Sequence, residues 1–360
     1  MNTRKTPSGA EGRGLPSRRS RGATMVDVAM AAGVSQTTVS LVLNRVSEAR
    51  LSADTRKRVY AAAEELGYAF SRRGSARLET SAPVICFAAD EYSSDPWCSI
   101  AMDGVRERAV EYGFSILAIV ARGYDGMEKA IREQIRSQRP AALIVAAIQT
   151  RRIKPFPVFS EVPTVLVNCY AADRSLPSII PGELLGGYTA TRHLIDAGHR
   201  RIGHIHGQPW IDTTRDRLKG YRRALAEMDI PYDPDLVRPG NWEPPAGYDQ
   251  THVLMDLDRP PTAIFCANDL MALGCYDALK ERRLRIPEDV SVIGYDDREI
   301  AKFMRPPLTT VLMAHFEIGL QAAEMIIDQA YGTPDRRPQI KVECPLVERS
   351  SVGPPRSGEH

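Results

Sequence analysis

The sequence predicts an α/β protein in which a small, all-helical N-terminal domain precedes a larger body of two lobes, each built on a parallel sheet. Apolar residues recur at helical spacing in the stretch that ends near residue 68. From Pro83 onward, short apolar runs typical of buried strands alternate with helical stretches of roughly ten to twenty residues. A chain of 360 residues with 43% hydrophobic residues can supply two or three cored domains.

Composition narrows the functional class. No run approaches the roughly 18 consecutive apolar residues of a membrane helix, and the first 22 residues lack the apolar centre of a secretory signal, so we expect a cytoplasmic protein. The six cysteines show no Cys-x-x-Cys pair and no short spacing to histidine, which predicts reduced thiols and no metal site. Gly-x-Ser-x-Gly, Walker and His-Glu-x-x-His signatures are absent, so neither catalytic residues nor a cofactor are predicted.

Charge is distributed unevenly along the chain. Residues 1–79 contain fourteen Lys/Arg and seven Asp/Glu, a balance of +7, whereas the remainder has a balance of −5. A basic front on an acidic body is expected when one end of a protein meets a polyanion such as DNA. Residues 1–22 are interpreted as a basic, disordered leader, and solvation alone would explain the charge of that leader equally well.

Residues 23–68 are predicted to form three short helices. Thr24 and Asp27 make a capping-box pattern at the start of the first helix, which a glycine ends. Ser35 can cap a second helix directly after this turn, and a third helix begins at Ser52. Two helices joined by a glycine turn, with a polar restart and basic surroundings, indicate a helix-turn-helix unit that binds DNA.

The body is predicted to hold a ligand at the carboxyl ends of its parallel strands, where open sheets of this kind bind ligands. These ends carry acids and amides but no glycine-rich phosphate loop: Asp90, Gln149, Asn168, Asn268, Asp269 and Asp296. Carboxylates accept hydrogen bonds from vicinal hydroxyl groups, and amides both donate and accept. The set therefore favours a sugar or sugar derivative.

Several stretches resemble the lactose-repressor (LacI/GalR-type) family of bacterial transcription regulators. The front "TMVDVAMAAGVSQTTVSLVLN", followed by "LSADTRKRVYAAAEELGY", is similar to the DNA-binding headpiece of that family. The motifs "TRDRLKGYRRAL", "GNWEPPAGY", "FCANDLMALG", "SVIGYDDREIAKFMRPPLTTV" and "PLVERSSV" are similar to its effector-binding core. The resemblance covers residues 24–352 and implies a headpiece followed by a periplasmic-binding-protein-like effector domain.

By this resemblance, the second helix lies in the major groove of DNA. Gln36 can pair with adenine there, while Thr37 and Leu41 can offer methyl groups to thymine. Leu41 departs from the polar or basic residue that many relatives carry at this position. The implied DNA-binding set is Thr24, Ser35, Gln36, Thr37, Thr38, Ser40, Leu41, Asn44 and Leu78.

Residues 69–81 are interpreted as a hinge between headpiece and body. In the family this segment folds into a short helix on DNA and inserts a leucine into a minor-groove step, and Leu78 is the candidate here. Phe70 stands where the family commonly has proline, and Gly74 interrupts the expected helix. A plain flexible linker is the alternative.

The resemblance also implies how the body is divided. The N-terminal lobe spans 82–181, with 312–336 returning to it. The C-terminal lobe spans 182–311 together with 337–352, and 353–360 form a tail. One departure falls at the crossover between lobes, where "IIPGELLG" lacks an Asp-Asn pair that relatives carry.

The effector contacts that the resemblance implies come from both lobes. Arg217 would fork onto ring oxygens or a carboxylate, Trp242 would stack on a sugar face and Asp296 would hold hydroxyls. Because a lone Trp or Asn in a loop is more often structural, the joint pattern carries this interpretation. We expect Arg217 and Asp296 to serve the ligand and not the fold. The stronger contacts are Arg217, Trp242, Asn268 and Asp296, and the weaker ones are Asp95, Trp97, Asn168 and His315.

Together these features predict a DNA-binding transcriptional regulator of the repressor type whose operator affinity is controlled by a small-molecule effector, most simply a carbohydrate. One headpiece offers a small interface, so a homodimer on a near-palindromic operator is expected. Two alternatives stay open. A sugar-binding protein without a regulatory role would have no use for a helix-turn-helix, and a sugar-metabolising α/β enzyme would show turnover of candidate sugars.

Replacing Leu41 with arginine tests the predicted orientation of the second helix. Leucine can contact a thymine methyl but cannot pair with guanine, whereas arginine pairs bidentately with guanine O6 and N7. Leu41→Arg should therefore change the preferred base at one symmetric operator position when parent and variant select from randomised DNA. An identical selected consensus would place residue 41 away from the base edges.

Overall fold

The computed structural model describes residues 24–43, 52–66, 82–89, 96–121, 123–330 and 339–356. The chain separates into two compact units, and the division falls between Ser71 and Arg72. No helix in the described ranges is long and apolar enough to span a membrane. The predicted leader, the predicted hinge, and the site candidates Asn44, Leu78, Asp90 and Asp95 lie outside the described residues.

The first unit contains the three predicted helices, and each begins at its predicted cap. They are α1 (Met25–Ala32), α2 (Gln36–Leu43) and α3 (Ala53–Glu65). The Thr24 backbone N–H donates to the Asp27 carboxylate at 2.8 Å, which completes the capping box. Ser35 Oγ accepts the Thr38 N–H at 3.0 Å, and Ser52 caps α3 in the same way. Gly33 ends α1 in the left-handed region at φ 64°.

One small apolar core holds these helices together. Fully buried valines from all three helices form its centre: Val28, Val39, Val42 and Val59. Arg58 of α3 donates to the Ala32 carbonyl at the end of α1 at 3.0 Å. Tyr60 of α3 donates to a carbonyl in the last turn of α2, also at 3.0 Å. The third helix therefore fixes the angle between the first two.

The second unit is the α/β body. Its strands are β1 (Val84–Ala89), β2 (Ser115–Val120), β3 (Ala142–Ile153), β4 (Thr164–Ala171), β5 (Ser178–Pro181), β6 (Ile202–His206), β7 (Val237–Pro239), β8 (Ala263–Cys266), β9 (Ser291–Ile293), β10 (Thr310–Val311), β11 (Gln339–Val342) and β12 (Leu346–Val347). Its helices are α4 (Trp97–Glu111), α5 (Gly123–Gln138), α6 (Glu183–Asp196), α7 (Asp212–Glu227), α8 (Pro244–Met255), α9 (Asp269–Glu281), α10 (Glu299–Phe303) and α11 (His315–Ala330).

Each lobe is built on its own parallel sheet, which confirms the predicted fold class. The N-terminal lobe has the strand order β11-β5-β4-β3-β1-β2, and the C-terminal lobe has the order β7-β6-β8-β9. The position of β1 in the sheet explains why its sequence is continuously apolar. Ile85 and Phe87 enter one core of the N-terminal lobe, while Cys86 and Ala88 enter a second core on the opposite face.

The assignment of residues 337–352 to the C-terminal lobe is wrong for β11. This strand pairs in parallel with β5 of the N-terminal lobe, with Ile340 opposite Ile179, and Val342 is buried in that lobe's core. The pairing satisfies backbone groups that β5 would otherwise leave open at the sheet edge. Only after β11 does the chain return to the C-terminal lobe, where β12 pairs with β10.

The chain therefore crosses between the lobes three times, and the crossing segments are hydrogen-bonded to one another. The Gly182 N–H donates to the Val342 carbonyl at 2.7 Å, which joins the first crossing to the third. The Leu312 N–H donates to the Pro345 carbonyl at 2.8 Å, which joins the second crossing to the third. The three connections thus run side by side.

In the N-terminal lobe, α4 and α11 cross with their backbones in contact. A Cβ added at Gly104 of α4 would lie 2.1 Å from the Phe316 carbonyl oxygen of α11. A Cβ at Gly319 of α11 would lie 1.9 Å from the Ala101 carbonyl oxygen of α4. Only glycine allows this separation, because the obstructing atoms are backbone and cannot rotate away.

Gly104→Ala should therefore destabilise the body by about 1–3 kcal/mol, because the two helices must move apart. Gly126→Ala is the matched control. It is also a helical glycine, but its added Cβ would meet only the Ala121 side chain at 3.9 Å, so the variant should be neutral or slightly stabilised. Urea unfolding followed by circular dichroism measures both. Equal free energies of unfolding for the two variants would contradict the close crossing.

Candidate functional site

A narrow cleft with a volume of about 50 Å³ lies between the two lobes, at the carboxyl ends of their strands. Its lining combines two tryptophans, two arginines and several hydrogen-bonding side chains: Trp97, Ile148, Gln149, Thr213, Arg217, Trp242, Asn268, Asp296, Arg298 and Met313. The cleft thus brings together five residues of the predicted effector set. Larger grooves exist on the outer surface of each lobe, but neither contains a predicted site residue.

Trp242 is held rigidly in the cleft wall. Its backbone adopts φ 74°, a left-handed conformation that is unusual for a residue of this size. The indole ring packs directly on Gly207, where an added Cβ would lie 2.0 Å from the ring. Asn268 donates from Nδ2 to the Trp242 carbonyl at 2.9 Å, while its Oδ1 accepts the Met271 N–H and caps α9. The ring is therefore oriented before any ligand enters.

Arg217 of α7 is buried among charged and aromatic partners, with a relative exposure of 1%. Its Nε donates to Glu183 Oε2 at 2.7 Å, and its Nη1 donates to the Ala267 carbonyl. The guanidinium carbon lies 3.5 Å from the centre of the Tyr295 ring. Burial lowers the pKa of Arg217, but Glu183, Tyr295 and Asp296 more than reverse this effect, so the group stays charged.

The expectation that Arg217 serves the ligand and not the fold is therefore wrong. Its guanidinium ties α7 to the start of α6, where Glu183 is also buried, and to the end of β8. Nothing in the local sequence indicates this pairing, because 34 residues separate the two side chains.

Asp296 and Arg298 form the part of the cleft that faces the N-terminal lobe. Asp296 follows β9 with φ 111°, and its carboxylate lies 3.7 Å from Arg217 Nη2 and 3.6 Å from Arg298 Nε. The guanidinium of Arg298 lies 4.8 Å from the centre of the Trp97 ring, which belongs to the N-terminal lobe. This cation–π contact spans the cleft.

Asn168 does not line the cleft but shapes the strand that does. The register between β3 and β4 shifts after Ala146, so four residues of β3 face one residue of β4. That one residue is Asn168, at φ 54°. Its Nδ2 donates to the Ala147 and Ile148 carbonyls, and its Oδ1 accepts the Thr150 hydroxyl at 2.6 Å. Asn168 thereby fixes the bulge that presents Ile148 and Gln149 to the cleft.

His315 lies behind the cleft wall, at the first turn of α11. Its ring stacks on Trp97 with centres 4.8 Å apart. Burial, together with the nearby charges of Arg217 and Arg298, lowers the pKa of His315 to about 3. The imidazole is therefore neutral near pH 7, and its Nε2 has no hydrogen-bond partner among the described residues. His315 positions Trp97 and does not reach the cleft surface.

The predicted DNA-binding residues of the headpiece differ in their exposure and in whether their side chains are already hydrogen-bonded. Thr24 and Ser35 are occupied as helix caps, and the Thr38 hydroxyl lies 2.9 Å from that of Ser35. Gln36 is half-buried, whereas Thr37 is only 6% exposed and has little surface to offer a base. Ser40 and Leu41 are on α2.

Some cleft residues were not predicted from the sequence as effector contacts: Ile148, Thr213, Arg298 and Met313. Glu183, which pairs with Arg217, was also missed. It lies in "IIPGELLG", the stretch whose departure from the family was noted, and a lone acid directly after a buried strand was the available signal. Arg298 follows the Asp-Asp pair after β9 and carried no signal of its own.

Two family profiles match the chain. Residues 24–71 match that of the bacterial regulatory proteins, lacI family, and residues 191–352 match that of the periplasmic binding protein-like domain. The HTH-type transcriptional repressor PurR of Pasteurella multocida (strain Pm70) is 32% identical over 333 residues, which cover 92% of this chain and 98% of PurR. The HTH-type transcriptional repressor CytR of Escherichia coli (strain K12) is 32% identical over 345 residues, covering 92% and 96%.

Solved structures agree over nearly the whole chain. A complex of the transcriptional regulator CelR with cellobiose superposes with a TM-score of 0.64 at 28% identity, covering 91% of this chain and 99% of CelR. The lac repressor dimer bound to operator and the anti-inducer ONPF superposes with a TM-score of 0.63 at 27% identity, covering 92% and 100%.

The buried pair of Arg217 and Glu183 can be tested by a double-mutant cycle. Arg217→Met leaves the Glu183 charge buried without its partner, so it should destabilise the body by about 3–5 kcal/mol. Adding Glu183→Gln should restore much of that loss because the uncompensated charge is removed. Urea unfolding of the two single variants and the double variant measures the coupling. Additive effects of the two changes would show that the pair does not act as a unit.

Arg223→Met provides the control for this cycle. Arg223 also lies on α7 and pairs with a carboxylate, Glu227, at 2.8 Å, but this pair is exposed. Because solvent screens exposed pairs, the variant should unfold close to the parent. A loss as large as that of Arg217→Met would mean that any arginine removed from α7 destabilises the body.

Proposed function

The chain belongs to the lacI family of bacterial regulatory proteins, and from that premise we propose that it is a transcriptional repressor whose affinity for operator DNA is set by a small molecule bound between its lobes. The observation that carries this proposal is the combination within one chain of a capped helix-turn-helix unit and a cleft lined by both lobes. Neither a free-standing sugar-binding protein nor an enzyme of sugar metabolism accounts for the first of these parts.

In the DNA-binding half, α2 is the helix that enters the major groove. Gln36 and Leu41 face the base edges, and the helix N-termini that Thr24 and Ser35 cap lie against the phosphates. Leu78 in the predicted hinge adds a minor-groove contact. Two headpieces are required for useful specificity, so the protein acts as a homodimer on a near-palindromic operator. The operator-bound dimer of the lac repressor supports this arrangement.

In the effector half, the cleft binds a carbohydrate or a related polyhydroxyl compound. Trp242 offers a fixed ring face to the apolar side of a sugar, while Asp296 and Asn268 offer hydrogen-bonding groups at the ends of neighbouring strands. Cellobiose in the CelR complex supports this ligand class. Gln149 on the bulge of β3 completes the site from the opposite lobe, so a bound ligand contacts both lobes.

Effector binding changes operator affinity because a ligand that contacts both lobes favours one relative position of the lobes over another. Couplings of this kind amount to about 1–3 kcal/mol. The protein carries out this function in the cytoplasm and without catalysis. The one carboxylate in the described cleft lining, that of Asp296, lies between two guanidinium groups, which disfavours its use as a general base.

The cleft assignment predicts that Trp242→Ala lowers the affinity for the effector and leaves the affinity for operator DNA unchanged. Removal of a stacking ring should lower effector affinity about tenfold or more, which corresponds to about 1.4 kcal/mol. Effectors are first found by thermal-shift screening of neutral and charged sugars and nucleosides. Fluorescence anisotropy of labelled operator, with and without the effector, then measures both affinities.

Trp210→Ala is the matched control, since Trp210 is 73% exposed and does not line the cleft. It should respond to the effector as the parent does. Operator affinity of the parent should also fall steeply with salt, because phosphate counterions are released on binding. A Trp242→Ala variant that responds at the parent's effector concentration removes this cleft from the proposal, and a parent that binds no selected DNA removes the regulator.

A further inference from the structure

Among the described residues, the charged side chains in and directly behind the cleft lining compensate one another. The cations are Arg217 and Arg298. Glu183 is 2.7 Å from Arg217 Nε, and the Asp296 carboxylate lies between the two guanidinium groups at 3.7 Å and 3.6 Å. Asp269 lies behind Arg298 and accepts its backbone N–H at 2.7 Å. As an acid, Asp269 adds no cation to this group. A ligand entering the cleft therefore meets no excess of cations.

The donors of Arg217 are largely used within the protein. Nε is directed to Glu183 and Nη1 to the Ala267 carbonyl, which leaves Nη2 as the donor nearest the cleft. Nη2 itself lies 3.9 Å from Met313 Sδ and 3.7 Å from Asp296 Oδ1. A bidentate fork onto a carboxylate or phosphate needs two adjacent N–H groups, and the three nitrogens of Arg217 each already donate within the protein.

Other anion-binding devices at the cleft are also occupied. The N-terminus of α9 opens beside the lining, but Asn268 Oδ1 accepts its Met271 N–H at 2.8 Å. Thr213 in the first turn of α7 donates its hydroxyl to Glu183 at 3.1 Å. A helix N-terminus binds anions through N–H groups that have no internal partner, and the capping side chain competes for these.

We propose that the effector is an uncharged ring compound bearing hydroxyl or amide groups, and that the cleft rejects its phosphorylated and carboxylated counterparts. This rests on the proposed function, in which the cleft holds the effector. An anion placed here would lose its hydration without gaining an unpaired cation, and it would approach the Asp296 carboxylate. Glu183 is the residue that sets this selectivity, because it neutralises Arg217 without lining the cleft itself.

Inorganic phosphate tests the charge balance without knowledge of the effector. The melting temperature of the full chain is measured against phosphate concentration at constant ionic strength, for the parent and for Glu183→Gln. The parent should show no saturable rise. Glu183→Gln leaves the charge of Arg217 uncompensated, so it should show a saturable rise in melting temperature at phosphate concentrations at least about tenfold below any that stabilise the parent. Glu227→Gln, which removes an exposed acid of the same lobe, should behave as the parent.

Asp296→Asn provides a second variant should Glu183→Gln fail to fold, since it removes the other carboxylate and should gain phosphate binding in the same way. Measurements on the parent also test whether the cleft accepts anions. Saturable stabilisation of the parent by phosphate that Arg298→Gln abolishes would show that the cleft accepts anions, and the proposal would be overturned. Glu183→Gln and Asp296→Asn variants that fold yet gain no phosphate binding would overturn it as well.

Matched pairs of compounds separate this inference from the proposed function. Glucose is compared with glucose 6-phosphate, cellobiose with cellobionate, and adenosine with its 5′-monophosphate, by calorimetry and by operator anisotropy. In any pair that binds, the neutral member should bind at least about tenfold more tightly. A tighter anionic member overturns the charge inference but leaves the regulator intact. If no small molecule changes operator affinity, the effector half of the proposed function fails, and the phosphate experiment still judges the charge balance.

Discussion

The buried ion pair between Arg217 and Glu183 is the interaction on which the cleft depends. It joins α7 to the first turn of α6, and through Arg217 it also reaches the ends of β8 and β9. The two helices are in backbone contact at the same place, since a Cβ at Gly187 would lie 2.4 Å from the Arg217 carbonyl oxygen. A charge buried so deeply needs its partner, so the wall of the cleft is held in one arrangement.

Two contacts between the lobes use polar or charged side chains, in contrast to the apolar cores within each lobe. Tyr170 of β4 donates its hydroxyl to Asp212 at the start of α7 at 2.8 Å, and Arg298 reaches the Trp97 ring. Such partly exposed contacts contribute little stability individually. A ligand that adds hydrogen bonds to both walls of the cleft can therefore contribute as much free energy as the protein's own contacts between the lobes, which allows it to shift the relative position of the lobes.

Most of the fold could be predicted from local patterns in the sequence. The caps of α1, α2 and α3 follow from short side chains at the right spacing, and the continuous apolar runs predicted buried parallel strands. The predictions that failed depend on contacts between residues that are far apart in the chain. β11 is a strand of only four residues, two of them polar, and its partner β5 lies about 160 residues earlier. Asn168 was taken for a strand end because a bulge leaves no mark in the sequence. The pairing of Arg217 with Glu183 was invisible for the same reason.

The three hydrogen-bonded connections between the lobes have a kinematic consequence. One covalent link would allow the lobes to twist and bend in any direction, whereas three links side by side suppress twisting and leave rotation about a single axis. The headpiece helices precede β1 in the chain, and β1 belongs to the N-terminal lobe. Three connections held side by side thus restrict how one lobe can move against the other far more than a single connection would.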